Sequence, residues 1–166
     1  TYTGALSEDG TWLKQEGSRQ TYVVVLGQAR VSESAGVSET WNRDGGVNTQ
    51  LATNWFAYDD VGHLVIENAA GDRTASLIRF VSEDQSFNFT FGENFLEYRV
   101  INNQAKLKTS TSVSDSTSAD GSPSHSVQVT DYDTSLDTGR LLGAQGRSAS
   151  WSIDGEGNVT ESGSIN

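Results

Sequence analysis

From Ser86 to Phe91 the chain alternates without a break, with Phe87, Phe89 and Phe91 against Ser86, Asn88 and Thr90. Successive side chains of an extended strand point to opposite faces, so this period sets three phenyl rings on one face of a strand. The neighbouring sequence continues the pattern. In 63–68, Leu64 and Ile66 oppose Val65 and Glu67, and 74–81 is apolar on both faces at Leu77, Ile78, Phe80 and Val81. Leu96, Tyr98 and Val100 then alternate against Glu97 and Arg99. Residues 69–72, 82–84 and 92–94 read as turns, with Gly71 able to take a positive φ. The stretch 62–102 therefore predicts a β-meander with one wet and one dry face. A fully buried Phe contributes about 1.5–3 kcal/mol, so the triplet is the expected centre of the core. Its alternative use is an aromatic platform for a ligand.

Elsewhere the same signals recur. Residues 22–26 are a continuous apolar run, β-branched at Val23, Val24 and Val25, as in a buried strand. Residues 16–18 and 32–36 interrupt strands, and Arg43-Asp44-Gly45-Gly46 carries the Asp-Gly hairpin signal. Residues 47–58 end in Trp55-Phe56-Ala57-Tyr58, and 106–113 read as an edge strand bearing lysines. Residues 114–126 are rich in Ser and Thr, include Pro123, and read as a long surface loop. Ala149, Trp151 and Ile153 alternate against Ser148, Ser150 and Ser152, and 159–165 form a last weak strand. Trp41-x-x-Asp44-Gly45 is echoed by Trp151-x-x-Asp154-Gly155. No amphipathic helix is found. The expectation is a single all-β domain over 1–166, an antiparallel β-sandwich or jelly-roll-like fold of about 10–12 short strands.

Eleven Lys and Arg against 22 Asp and Glu give a net charge of −11. That charge argues against nucleic acid and anionic membranes as partners, and suits divalent cations or an acidic surface coat. There is no Cys, hence no disulfide or thiolate site. No apolar run approaches the roughly 20 residues of a membrane helix. The chain opens at Thr1, which is read as a processed start and so as an extracellular, cell-surface or virion location.

Catalytic signatures are missing: there is no Gly-x-Ser-x-Gly, Ser-x-x-Lys, His-Glu-x-x-His or phosphate loop. Of the two histidines, His63 starts a strand and His125 falls in the Ser-rich stretch. No partner positions either for catalysis, and the chain is expected not to be an enzyme. Asp131, Asp133, Ser135 and Asp137 alternate as calcium-loop ligands do. Leu136 and Leu142, however, replace the glycine and the closing acid. Calcium is thus the one cation suggested, with an acidic surface loop as the alternative. Trp41, Trp55 and Trp151 are the residues able to stack on a sugar. Gly10-Thr11-Trp12 and Thr130-Asp131-Tyr132 resemble the Gly-x-Trp and Thr-Asp-Tyr motifs of lipocalins, and the first also resembles the opening strand of the avidin family. The resemblance implies a calycin-like β-barrel holding a small apolar ligand, which is the alternative fold and function.

The leading expectation is a non-enzymatic structural subunit of a filament, pilus, surface layer or virion, self-associating through β-strand contacts. The segments expected to add a strand to a neighbour are those around Tyr2, Ala5 and Leu6, and around Val159 and Ile165.

Overall fold

The computed structural model describes residues 2–6 and 12–165, with side chains from Gly17 onward. Twelve strands form: β1 (Tyr2–Leu6), β2 (Trp12–Val25), β3 (Gln28–Trp41), β4 (Val47–Trp55), β5 (Ala57–Tyr58), β6 (Leu64–Val65), β7 (Ala75–Glu83), β8 (Phe89–Ile101), β9 (Gln104–Thr117), β10 (Pro123–Thr134), β11 (Leu141–Ile153) and β12 (Val159–Ile165). Ten of them pair in chain order into one antiparallel sheet, β1-β2-β3-β4-β7-β8-β9-β10-β11-β12, while β5 and β6 make a separate hairpin. The expected all-β antiparallel fold is thus present, its open sheets consistent with a sandwich. The calycin-like barrel is not, because β1 and β12 lie at opposite edges and do not pair with each other. Gly10 and Thr11 of the lipocalin-like motif, and the expected turn at 8–10, fall outside the described residues.

Most strands are longer than expected, because stretches that read as turns lie inside them. Residues 16–18 hold a bulge at Gly17 (φ 83°), where the register against β3 shifts. Residues 32–36 run through β3, and 92–94 run through β8. Gly92 is not a turn glycine. It lies opposite Phe80, and a Cβ on it would overlap the phenyl ring and come within 2.9 Å of the Val113 carbonyl oxygen. Nor is 114–126 a long loop: β9 runs to Thr117 and β10 starts at Pro123. Ladder bonds and cross-strand hydroxyl pairs, such as Thr90 with Ser116 at 2.8 Å, hold a polar sequence extended without an apolar run.

One turn geometry recurs. At Asn42, Asp59, Asn68, Asp84, Ser118 and Asp154, the backbone N–H donates to the carbonyl four residues on, and the carbonyl accepts from the N–H three residues on. Four of these residues carry a side-chain oxygen (Oδ1) that also accepts the N–H groups two and four residues on: Asp59, Asn68, Asp84 and Asp154. Asn88 and Asn158 side chains donate to the second oxygens of Asp84 and Asp154, which together with the backbone bonds lowers both carboxyls below the ordinary aspartate value. Asp59 is also lowered; partial desolvation acts to raise it, and the His63 and Val61 N–H groups outweigh that. The residue three positions after the turn's first has positive φ, and is Gly45, Gly62, Gly71, Gly121 or Gly157, but Phe87 (φ 61°) in the β7–β8 turn. Phe87 therefore belongs to a turn and is 75 % exposed.

The two faces of the sheet differ in chemistry. On one, Ser82, Thr90, Ser116, Ser124, Ser152 and Thr160 lie in register across six strands. The adjacent row runs Phe80, Gly92, Ser114, Ser126, Ser150, Ser162. On the opposite face, one row is Val81, Phe91, Asp115, His125, Trp151, and another is Leu77, Phe95, Thr111, Val129, Arg147. This is the apolar face, and it is uncovered: Phe89, Phe91 and Phe95 are all exposed, Phe91 at 40 %. The expected Phe core is corrected accordingly, since among the described residues no second layer lies over Phe89 and Phe91. Residues 22–26, expected as a buried strand, form the exposed tip of the β2–β3 hairpin.

Burial is concentrated where residues 56–74 leave the sheet between β4 and β7. Ala57, Thr74 and Ser76 are buried there, and Ile101 and Thr134 are buried at the ends of β8 and β10. The Thr74 hydroxyl accepts the Ala57 N–H at 3.0 Å and donates to the Val65 carbonyl at 2.6 Å. Ser76 joins Asn54 and Tyr98. The Tyr58 hydroxyl donates to the Val31 carbonyl, and the Leu64 N–H donates to Asn103.

Candidate functional site

Trp41, Trp55 and Trp151 all face the apolar side, but the sheet keeps them apart. Trp41 and Trp55 sit at opposite ends of the β3–β4 pair, opposite Val47 and Glu33 respectively. Trp151 lies on β11, six strands from Trp41, or about 29 Å at the usual strand spacing. They are therefore three separate positions and not one stacking platform. Trp41 donates its indole N–H to Glu39. Trp151 stacks on His125, with centroids 6.0 Å apart and planes 25° apart.

Of these three, Trp55 lines a groove. A space of about 690 Å³ opens between the β2–β3 hairpin, the end of β4 and the 56–74 excursion, walled by Tyr22, Trp55, Phe56, Tyr58, Phe95 and Arg73. Arg30 stands 5.5 Å over the Tyr58 ring, which holds one wall in place. The sequence marked Trp55 and left the other aromatics unassigned. Phe56 and Tyr58 follow Trp55 directly in the chain, but Tyr22 and Phe95 come from β2 and β8, and no local period links them to it.

His125 is corrected in position. It sits in β10 and not in a loop, its Nδ1 lying 2.7 Å from Asp115 Oδ1 across the β9–β10 pair. With Trp151 beyond it, this gives a polar and aromatic ladder in the middle of the apolar face. Its neighbours in the row are Asp115 with Phe91 beyond it on one side and Trp151 on the other, so no hydroxyl adjoins the His125–Asp115 pair within the row.

The aspartates do not converge. Asp131 and Asp133 lie in β10, and Asp137 lies in the loop that follows. Asp131 accepts from Thr109 at 3.1 Å and faces Arg147 at 3.8 Å, while the Asp137 carbonyl accepts from Asn102. An extended strand spreads alternate carboxylates by roughly 6.6 Å, whereas a calcium loop must curl around its ion. Among the described residues, no group of three His, Cys, Asp or Glu side chains is placed to hold a metal.

The residues expected to make assembly contacts fall on the two free edges. Tyr2, Ala5 and Leu6 are in β1, opposite Glu16, Leu13 and Trp12 of β2; their side chains fall outside the described residues. Val159 and Ile165 end β12, and Ile165 is 80 % exposed. Among the described residues, nothing pairs with the outer side of either strand. Among the described residues, no helix is long and apolar enough to cross a membrane. No family model, curated protein or solved structure matches the chain.

Proposed function

We propose that this chain is a non-enzymatic structural subunit, working outside the cell or in a virion, that assembles through the edges of its sheet. The observation that supports this best is the polarity of those edges. Ten antiparallel strands in chain order leave β1 and β12 running in opposite directions. A second copy displaced along the sheet therefore sets its β1 antiparallel to β12 of the first and continues the ladder. Such a contact is head-to-tail and does not close, so it propagates. Light scattering with negative-stain microscopy tests it. Filaments or lattices that disappear in a variant lacking residues 1–7, with the β-signal in circular dichroism retained, are the expected outcome. A chain that stays at 17.9 kDa across concentration ends the proposal.

The aromatic groove favours a second reading, a glycan-binding module in which Trp55 stacks on a sugar. Five aromatic walls beside the guanidinium of Arg73 suit the apolar face and hydroxyls of a pyranose. Titration with oligosaccharides, following Trp fluorescence, tests it, and Trp55→Ala should abolish the response.

A further inference from the structure

The chain exposes 10725 Å², about a third more than the roughly 8,000 Å² of a compact monomer of its mass. The excess follows from the architecture. The apolar face presents Val37, Leu51, Val81, Phe91, Val113 and Val127 in adjacent rows across β3, β4 and β7–β10. No described element of this chain covers the Phe91 region, and large hydrophobics of these rows, Leu51, Val81, Phe91 and Trp151, are exposed together. The reverse face carries hydroxyl rows and has no such patch.

We infer that this face is an interface with a second copy of the same chain, the two sheets packing face to face as the two layers of a sandwich. The area supports that occupant. If each copy covered only half of its excess surface, the contact would exceed the roughly 2,000 Å² at the low end for obligate homodimers. The same patch on both partners makes the contact isologous and closed. Two acid–base pairs lie within it, Arg79 with Glu93 at 2.7 Å and Arg147 beside Asp131 at 3.8 Å, while Glu39 and Glu161 stand at the two ends of the Val81–Phe91–Trp151 row. With a net charge of −11 on each chain, long-range repulsion opposes pairing, and salt screens it. The contact does not depend on edge-to-edge assembly, since it uses side chains of the face and edge assembly uses the backbone of β1 and β12.

Sedimentation of the full chain over a concentration series, at low and high salt, tests this. The expected species has twice the 17.9 kDa chain mass and tightens several-fold with salt. Phe91→Asp should raise its dissociation constant at least a hundredfold, and Val127→Asp, two strands away on β10, should do the same. Ser114→Asp, on the hydroxyl face, should leave it unchanged. Where edge assemblies form, Phe91→Asp should halve their mass per unit length without shortening them, so that loss of layers and loss of length are read separately. Single-layer assemblies or a monomer in the wild type would overturn the inference, as would a dimer indifferent to both face variants.

Discussion

The centre and the far wing of the same sheet are held by different means. Around β4, β7 and β8, the excursion at 56–74 returns side chains to the sheet, and Thr74, Ser76 and Ala57 are buried there. In the wing, β11 and β12 meet through ladder bonds and exposed Ser150–Ser162 and Ser148–Ser164 pairs, and every residue of β12 is exposed. A meander only pairs neighbours, so it buries backbone and leaves both faces open. Burial has to come from segments that leave the sheet and fold back. The centre is therefore the place where local changes should unfold the chain, and the wing the place where they should be absorbed.

The largest difference should come from two glycines within strands. Gly92→Ala sets a methyl group against the Phe80 ring and the Val113 carbonyl. The ring can tilt but the backbone cannot, and overpacking of this kind costs about 2–3 kcal/mol. Gly143, in β11, has nothing within 4 Å of an added Cβ and no positive φ. Gly143→Ala should stay within about 0.5 kcal/mol of wild type. Urea midpoints of the two variants check this, and equal shifts would break the distinction between centre and wing.

Next in size is the loss of one buried hydroxyl. Thr74→Val leaves the Ala57 N–H and the Val65 carbonyl unpaired at a buried position, at about 2 kcal/mol. Ser150→Ala removes a hydroxyl pair of similar geometry, but water takes its place, and the change should be about 0.5 kcal/mol or less. Thermal unfolding of both variants measures the contrast.

The sequence carried the parts of this architecture that depend on adjacent residues. Alternation placed Phe89 and Phe91 on one face, and the Asx and Gly positions marked most of the tight turns. It could not say whether that face is covered, because an apolar row reads alike under a second layer or under water. Gly92 differs from the turn expected there for a related reason. A glycine that admits a cross-strand ring looks in sequence like a glycine that turns the chain, and only the register against β7 separates them. The echo between Trp41 and Trp151 was also misleading, since the turns that follow begin at Asn42 and Asp154 and the two Trp sit at different distances from them. The repeat that matters is an Asx or Ser followed three residues later by Gly. It is hard to see in the sequence because Phe87 breaks it once and Ser118 opens it once.

That break allows the smallest and most pointed comparison. Phe87 and Gly157 occupy the same position of the same turn, in the centre and in the wing, with φ of 61° and 86°. Left-handed backbone costs a non-glycine residue about 1–2 kcal/mol, and glycine returns about 0.5–1 kcal/mol of that through unfolded-state entropy. The Phe87 ring is mostly exposed, so its removal forfeits little burial. Phe87→Gly should then stabilise the chain by about 0.5–1 kcal/mol. The reverse change, Gly157→Phe, should destabilise it by a similar amount, and chemical unfolding of both variants would show shifts of opposite sign. A loss of stability in Phe87→Gly would mean that the ring makes a contact worth more than the strain, and the most direct source of one is a neighbouring copy. Repeating the measurement at tenfold dilution separates the cases, because strain is independent of concentration and an intermolecular contact is not.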